Sequence, residues 1–490
     1  MNNFKRELDK TGEIGYVTQV VDTLVYANGI PGAKPDELIV FETGETGQVL
    51  SLLENEVEIL TFSKTPVKVG TALTRTGKAL EIPVGTELLG NIIDPFGNSL
   101  EEDKAFKKPR DRIGVNTDPE GIVERRTIKT YLETGTSIVD LMIPLGKGQR
   151  ELVIGDRKTG KTNFLLHTIF TQASRGTICI YAAIGKKKMD IKKAQEFFEE
   201  NKIMDKVIII ASTSTDPAGS IYITPYSALS VAEYFRNNGQ DALVVLDDMS
   251  THAKFYREIS LLGKRFPGRN SYPGDIFYVH ARLIERAGNF SVGDKEAAIT
   301  CIPVVETNQG DLSGYIQTNL MSMTDGHLFF DTNLFYQGRR PAVNPFLSVT
   351  RVGRQTQSEV KRSINRELTS FLTLFERVQN FVHFGSELND SAKVTLDMGN
   401  KILRLFDQPS GKLIPSNVQV VVFTILWGSL LPTETMEKLF ERREKIIEKY
   451  NSDKNFKKTL DDFVESSQTL NDLMGKIKKD GNIVNQIISL

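Results

Sequence analysis

The stretch Glu151-Leu-Val-Ile-Gly-Asp-Arg-Lys-Thr-Gly-Lys-Thr162 decides how the chain is read. Leu152, Val153 and Ile154 form a short apolar run of strand type, and the pattern GxxxxGK[ST] follows, filled by Gly155, Gly160, Lys161 and Thr162. Gly155 and Gly160 let the backbone turn tightly and lay its N–H groups against phosphate oxygens; Asp156, Arg157, Lys158 and Thr159 complete the loop between them. Lys161 has the charge and reach for β- and γ-phosphates, and Thr162 offers a hydroxyl to a magnesium ion. Phe164, Leu165, His167, Thr168 and Ile169 continue helically, so a helix N-terminus points its dipole at the same anion. A glycine-rich surface turn would also satisfy the pattern, but it would not require a strand before the loop or a helix after it.

Outward from this loop, strand-like and helix-like runs alternate between Leu132 and about Val349. They include Thr177–Ile184, a Lys-rich helix ending at Phe198, Val207–Ala211, a helix near Ser227–Asn237 and Ala242–Leu246. Alternation of this kind predicts a mostly parallel, doubly wound sheet whose ligands sit at the carboxyl ends of the strands. Asp247 ends the apolar run Leu243–Leu246, the position from which a carboxylate holds magnesium in phosphate-loop proteins. The competing role for Asp247 or Asp248 is capping of the next helix.

On the amino-terminal side, short apolar runs (Gly15–Val21, Glu37–Phe41, Gly47–Leu53, Val57–Phe62, Val67–Val69) are separated by turn residues, the rhythm of a small antiparallel barrel. Ile93 to Val123 is rich in proline, glycine and charge and reads as a linker. Beyond Arg354 come long helix-forming runs, Ser363–Phe381, Leu396–Phe406 and Met436–Lys449, then a Lys-rich tail with apolar residues at helical spacing. The expected domains are residues 1–93, 94–350 and 351–490.

The 490 residues are too many for one core, and 61 basic against 62 acidic residues give no basic excess of the kind a nucleic-acid binder shows. Cys179 and Cys301 read as reduced, buried and inert. Met1–Gly12 is polar with no signal segment, and Val418–Leu431 is too short and too interrupted to span a bilayer, so it reads as a buried helix. A cytoplasmic protein is expected, one able to lie at the cytoplasmic face of a membrane through partners.

Several long motifs resemble the α subunits of the rotary ATP synthase family. They are Thr134–Thr162 with Ile143-Pro-Leu-Gly-Lys-Gly-Gln-Arg150 ahead of the loop, Pro267–Ala287, and Ser348-Val-Thr-Arg-Val-Gly353. The likeness runs from roughly Thr11 to past Ser429. It implies a β-barrel, a RecA-like α/β nucleotide-binding domain and a helical carboxyl-terminal domain. It also implies ATP or ADP with Mg2+ as ligands, an alternating hexamer with a catalytic β-like subunit, a central rotating shaft, and a membrane sector reached through other subunits. No direct nucleic-acid binding is expected.

In catalytic β subunits of that family a glutamate after the second strand polarises the attacking water, and the α subunits have a glutamine there. This chain has Lys186, which beside a triphosphate stays protonated and cannot accept a proton. A remote carboxylate such as Glu233 or Glu306 is the alternative base. Arg351 matches the arginine that reaches across the interface to the phosphate in the neighbouring β subunit, and its permanently charged, forked guanidinium suits that task. Ser348 and Ser322, the latter in Met321-Ser-Met-Thr-Asp-Gly326, match other residues of that interface. Gln408 matches the first of two glutamines beside the adenine; the second falls on Ser410, which puts base preference in doubt. The chain reaches barrel-like sequence within about a dozen residues, leaving little of the amino-terminal helical extension that docks the stator in bacterial α subunits.

The function expected from the resemblance is a non-catalytic, nucleotide-binding subunit of a hexameric rotary ATPase that lends Arg351 to its neighbour. A specialised ATP-hydrolysing motor without proton transport, a homohexameric secretion or Rho-type ATPase, and a structural ring subunit are the alternatives.

Overall fold

The computed structural model describes residues 3–101, 106–383, 390–409, 411–430 and 435–479. They form two compact units, one of residues 1–127, 147–154 and 172–325, the other of residues 128–146, 155–171 and 326–490.

The first unit opens with helix α1 (Asn3–Thr11), which packs on a closed barrel of β1 (Gly15–Val21), β2 (Leu24–Asn28), β3 (Glu37–Phe41), β4 (Thr46–Leu52), β5 (Val57–Thr61) and β6 (Ala72–Ala79). Val17, Val25, Ile39, Phe41, Val49, Ile59 and Leu73 fill its interior. Strands β2 and β6 escape sequence reading; in β6, Thr74, Arg75, Thr76 and Lys78 hide the alternation. The stretch read as a linker is built into this unit. Strand β7 (Glu81–Pro83) pairs with β9 (Arg112–Gly114), Val84 and Val115 are buried, and β8 (Ile92–Ile93) joins the central sheet beside Ile209 and Ile210. Proline and charge mark its turns; its few apolar residues are what anchor it.

That central sheet runs in the order β13 (Glu151–Gly155), β18 (Lys295–Glu306), β16 (Ala242–Asp247), β14 (Ile178–Lys186), β15 (Val207–Thr213), β8, with β17 (Gly288–Val292) antiparallel to β18 and β10 (Arg125–Arg126) beyond it. The β18–β16, β16–β14 and β14–β15 pairs are parallel. Its middle strands are apolar runs without alternation because both faces are covered: every residue of β16 is buried. Helices α4 (Lys188–Glu200), α5 (Ala218–Asn237), α6 (Met249–Leu262), α7 (Ile276–Ile284) and α8 (Tyr315–Met323) lie between or after these strands. Helix α5 is buried on almost every side, packs over β14, β15 and β16, and meets the barrel where a Cβ on Gly219 would fall 2.5 Å from the Thr61 carbonyl.

The second unit contains the two-stranded β11 (Tyr131–Leu132) and β12 (Leu145–Gly146), α2 (Ser137–Met142) and the first eleven residues of α3 (Lys161–Ser174). It continues with β19 (Gly326–Phe330), α9 (Thr332–Tyr336), β20 (Val349–Thr350), then α10 (Glu359–His383), α11 (Asp390–Phe406), α12 (Ser416–Trp427), α13 (Met436–Ser452), α14 (Lys454–Glu465) and α15 (Leu470–Lys479). Val360, Ile364, Leu368 and Leu372 form the buried stripe of α10 at four-residue spacing, while α12 is buried from Ser416 to Ile425. Polar side chains tie these helices to α2: Asn365 donates to the carbonyls of Leu141 and Met142, Gln357 donates to Asp140 O, and Gln419 donates to the Asp140 carboxylate. Among the described residues no helix is long and apolar enough to cross a membrane.

Candidate nucleotide site

The loop Gly155–Thr162 belongs to the second unit and leaves β13 at its carboxyl end. Gly155 is glycine because the Phe330 carbonyl approaches it: a Cβ would lie 2.5 Å from that oxygen. Gly160 has φ +96°, and a Cβ there would project into open space, so the loop keeps a concavity beside its own backbone. Thr159 Oγ1 donates to Asp156 O at 2.8 Å, and the Asp156 carboxylate accepts a hydrogen bond from Thr332 Oγ1 at 2.8 Å, fixing the loop from within and from α9. Lys161 is buried, its ammonium donating to the carbonyls of Gly155 and Asp156 at 2.7 and 2.5 Å. Arg157, Lys158 and Thr162 are exposed at the loop and the start of α3. A backbone concavity, a buried lysine curled over it and the first turn of a fourteen-residue helix fit a polyphosphate.

Gln408 is engaged on backbone groups. Its amide oxygen accepts from Ser137 N, and its amide nitrogen donates to the carbonyls of Gly135 and Lys412. The side chain is thereby engaged on backbone at the start of α2 and in the loop before α12. Gly411 N donates to His167 Nε2 on the phosphate-loop helix at 2.8 Å. Ser410 lies outside the described residues.

Arg351 follows β20 directly and is exposed. The hairpin beneath it is well fixed: β20 pairs with β19 through His327 and Val349, Ser348 Oγ accepts from Phe329 N and donates to Asn344 O, and Thr350 Oγ1 donates to Pro144 O. Gly353 is required because a Cβ would fall 1.6 Å from the Pro144 carbonyl oxygen. Burial, joined by the nearby Arg351 guanidinium, holds the His327 imidazole below its usual pKa against the bond it makes to the Leu347 carbonyl. Ser348 is buried and fixes the hairpin that carries Arg351.

Asp247 and Asp248 belong to the first unit. Asp247 closes β16 and Asp248 opens α6, with a cis peptide bond between them. The division of labour left open by the sequence is resolved: Asp248 is the helix cap, its Oδ1 accepting from Thr251 N at 2.7 Å. Asp247 accepts from Tyr181 OH at 2.8 Å on Oδ2 and pairs with Lys186 Nζ at 2.7 Å on Oδ1. The same ammonium reaches Asp248 Oδ2 at 3.2 Å. Burial alone would push the Lys186 pKa down, but the charges of Asp247 and Asp248 and their hydrogen bonds outweigh it and push it up. Tyr181, buried against Asp247, is raised well above the usual phenol range and stays neutral. The fit for magnesium is thus divided. Thr162 offers an exposed hydroxyl in the second unit, whereas in the first both oxygens of Asp247 already hold protein donors.

Of the remaining carboxylates considered as a base, Glu233 is occupied. Arg286 Nε and Nη2 donate to its two oxygens at 2.8 Å each, and Thr117 adds a third bond. Glu306 ends β18; its amide donates to Ser250 Oγ and its carbonyl accepts from Gln317. Ser322 sits near the end of α8, exposed, its hydroxyl donating to Asn319 O. Sequence reasoning missed Tyr181 and the pairing of Lys186 with Asp247. The one available signal was a tyrosine set in an otherwise small and aliphatic strand.

Residues 135–350 match the family model described as "ATP synthase alpha/beta family, nucleotide-binding domain", and residues 357–482 match "ATP synthase alpha/beta chain, C terminal domain". The chain is 38% identical over 478 residues to the ATP synthase subunit alpha of Petrotoga mobilis, covering 96% of this chain and 93% of that one. It is 40% identical over 420 residues to the subunit alpha of Neorickettsia sennetsu, covering 84% and 82%. It is 36% identical over 461 residues to the subunit alpha of Mycoplasmoides gallisepticum, covering 93% and 89%.

Proposed function

Since the chain belongs to the ATP synthase alpha/beta family, we propose that it is the α-type, nucleotide-holding and non-catalytic subunit of a rotary ATPase, alternating with catalytic β-type subunits around a central shaft. The single observation that carries the non-catalytic reading is Lys186, whose ammonium lies against Asp247 and Asp248. Catalytic β subunits of the family use a glutamate at this position to polarise the attacking water, a task a protonated amine cannot perform. This position presents a cation, and the nearby carboxylates are engaged by it, by a helix N-terminus and by Tyr181.

In this reading Gly155–Thr162 binds the phosphates of ATP or ADP, with Lys161 neutralising their charge. Thr162 is the residue that would offer a hydroxyl to a magnesium ion arriving with the nucleotide, which when bound screens the phosphate oxygens; Asp247 would join it only on releasing Lys186 or Tyr181. The amide of Gln408 positions backbone near the phosphate-loop helix, so base selection rests on other groups. Arg351 acts outward: held on a braced hairpin and exposed, it is the guanidinium offered to the phosphate in the adjacent β-type subunit, with Ser348 as its positioning residue and Ser322 at the same boundary. The complex works at the cytoplasmic face of a membrane, joined to a proton-conducting sector through other subunits.

The test is reconstitution with the β-type partner. The purified chain should bind ATP without turning it over, and the assembled ring should hydrolyse it. Steady ATP turnover by the chain alone, unaffected by Lys186→Ala, would overturn the assignment.

A further inference from the structure

Helix α1, the outside of the barrel and the β7–β9 pair, all in the first unit, border a cavity of about 870 Å³. Its floor is apolar: Phe62 and Phe96 lie there with ring centroids 4.9 Å apart, and Leu38 and Val40 continue the surface. Its rim is basic, with five cationic side chains against three carboxylates, and those carboxylates are already committed. Glu7 holds Arg6 and Lys10, each at 2.9 Å, Glu81 lies 3.5 Å from Arg112, and Glu45 accepts from Thr43 Oγ1. Among the described residues the ammonium groups of Lys78 and Lys108 have no carboxylate partner. Lys108 is held in place by Asn98, whose Oδ1 accepts from Nζ at 2.8 Å and whose Nδ2 donates to Asp94 Oδ2 at 2.8 Å. Partial burial and the neighbouring Arg112 charge hold Lys108 below the usual lysine range, and Asp94 only partly offsets them. The cavity thus gathers positive charge that its own carboxylates leave unanswered.

We propose that this cavity binds a small organic phosphate of mononucleotide size, held by Lys78, Lys108 and Arg112 over the Phe62–Phe96 floor. A phosphate monoester carries close to two negative charges on one group at neutral pH. It can therefore answer Lys108 and Arg112 together, two cations that repel one another, where a single carboxylate answers one. Arg112 supplies a planar fork of donors and the two lysines supply point charges that reach from either side. The carbon skeleton of the ligand covers the apolar floor. The volume lies within the range of about 300–1,000 Å³ usual for small-molecule sites, more than inorganic phosphate alone would fill. A cleft lined by one sign of charge also raises the local concentration of such an anion. No residue of Gly155–Thr162 takes part, so the site stands whether or not that loop holds nucleotide.

The experiment is equilibrium dialysis of the full-length chain with radiolabelled AMP, and with unlabelled adenosine and hexaglutamate as competitors. AMP should bind the native protein, and Lys78→Gln/Lys108→Gln should weaken it by about tenfold or more. Lys78→Arg/Lys108→Arg, which keeps both charges, should retain most of the affinity. Lys161→Ala, which alters only the phosphate loop, should change it by less than about twofold. Both lysines are exposed, so the melting temperature without ligand should stay the same in each variant, which separates lost binding from lost folding. Adenosine should compete at least about tenfold more weakly than unlabelled AMP, because it lacks the phosphate. Loss of AMP binding in Lys161→Ala with none in Lys78→Gln/Lys108→Gln assigns the ligand to the phosphate loop and overturns the proposal. Stronger competition by hexaglutamate than by AMP overturns it in favour of an acidic peptide, and absence of AMP binding overturns it outright.

Discussion

Lys186 Nζ lies 2.7 Å from Asp247 Oδ1, joining the ends of two paired strands. Removing the lysine leaves two nearly buried carboxylates on adjacent residues without their counter-charge. Breaking a buried pair by deleting one partner costs about 3 kcal/mol or more. Lys186→Ala should therefore lower the denaturant midpoint by a corresponding amount, and Asp247→Asn in the same chain should recover part of it. A loss below about 1 kcal/mol would place the pair with ordinary surface bridges.

Arg351 is exposed on a hairpin fixed by Ser348, Thr350 and Gly353. Arg351→Ala should leave folding and ATP binding of the chain intact while lowering hydrolysis by the reconstituted ring about 10³-fold. Arg351→Lys should recover little, because an ammonium lacks the planar fork. Ser348→Ala removes only the brace and should give a smaller loss. An unchanged rate in Arg351→Ala would remove the residue from the reaction.

Gly155 lies under the Phe330 carbonyl with no room for a methyl group. Gly155→Ala must push β19 or the phosphate loop aside, at about 1–3 kcal/mol for an overpacked interior. The expected result is weakened ATP binding measured by equilibrium dialysis, beyond what any small drop in melting temperature explains.

In the buried Arg286–Glu233 pair, Arg286 is 1% exposed and also donates to Ser230 Oγ and to the carbonyls of Val115 and Tyr226. Arg286→Met should destabilise the chain by about 3–5 kcal/mol, since Glu233 loses its charge partner. Adding Glu233→Gln should recover part of that loss in urea melts, a coupling that two independent sites would not show.

His252 and His280 are fully buried, with Nδ1 of the first 3.2 Å from Nε2 of the second. Burial lowers both pKa values, His252 to about 4 and His280 well below its ordinary value, with the His252 charge adding to the latter. Between about pH 6.5 and 4 the unfolded chain binds protons at these rings that the folded chain does not. Stability is thus full above about pH 6.5 and falls on acidification, by up to about 1.4 kcal/mol per pH unit for each ring. The difference in melting temperature between native protein and His252→Gln/His280→Gln should change in that window and be flat above it.

Much of the architecture was legible because it rests on local pattern. The strands of the central sheet are visible as unbroken apolar runs, and Ser363–Phe381 lies within α10. What escaped depended on partners far along the chain. Ile93 looks like the start of a charged connector until Ile210 is seen beside it. Glu233 looks like an unassigned carboxylate until Arg286, fifty-three residues later, takes both its oxygens.

By itself the sequence determined the phosphate loop, the strand that ends at Asp247, the cation at position 186 and the arginine at 351, because each is fixed by residue type and short spacing. Only the tertiary structure decided what those groups do to one another. Parallel pairing of β14 and β16 brings Lys186 and Tyr181 onto the two oxygens of Asp247, and the capping demand of α6 claims Asp248. A carboxylate's chemistry is set by the donors and charges within a few ångströms of it, and residues sixty positions apart become neighbours only when strands pair.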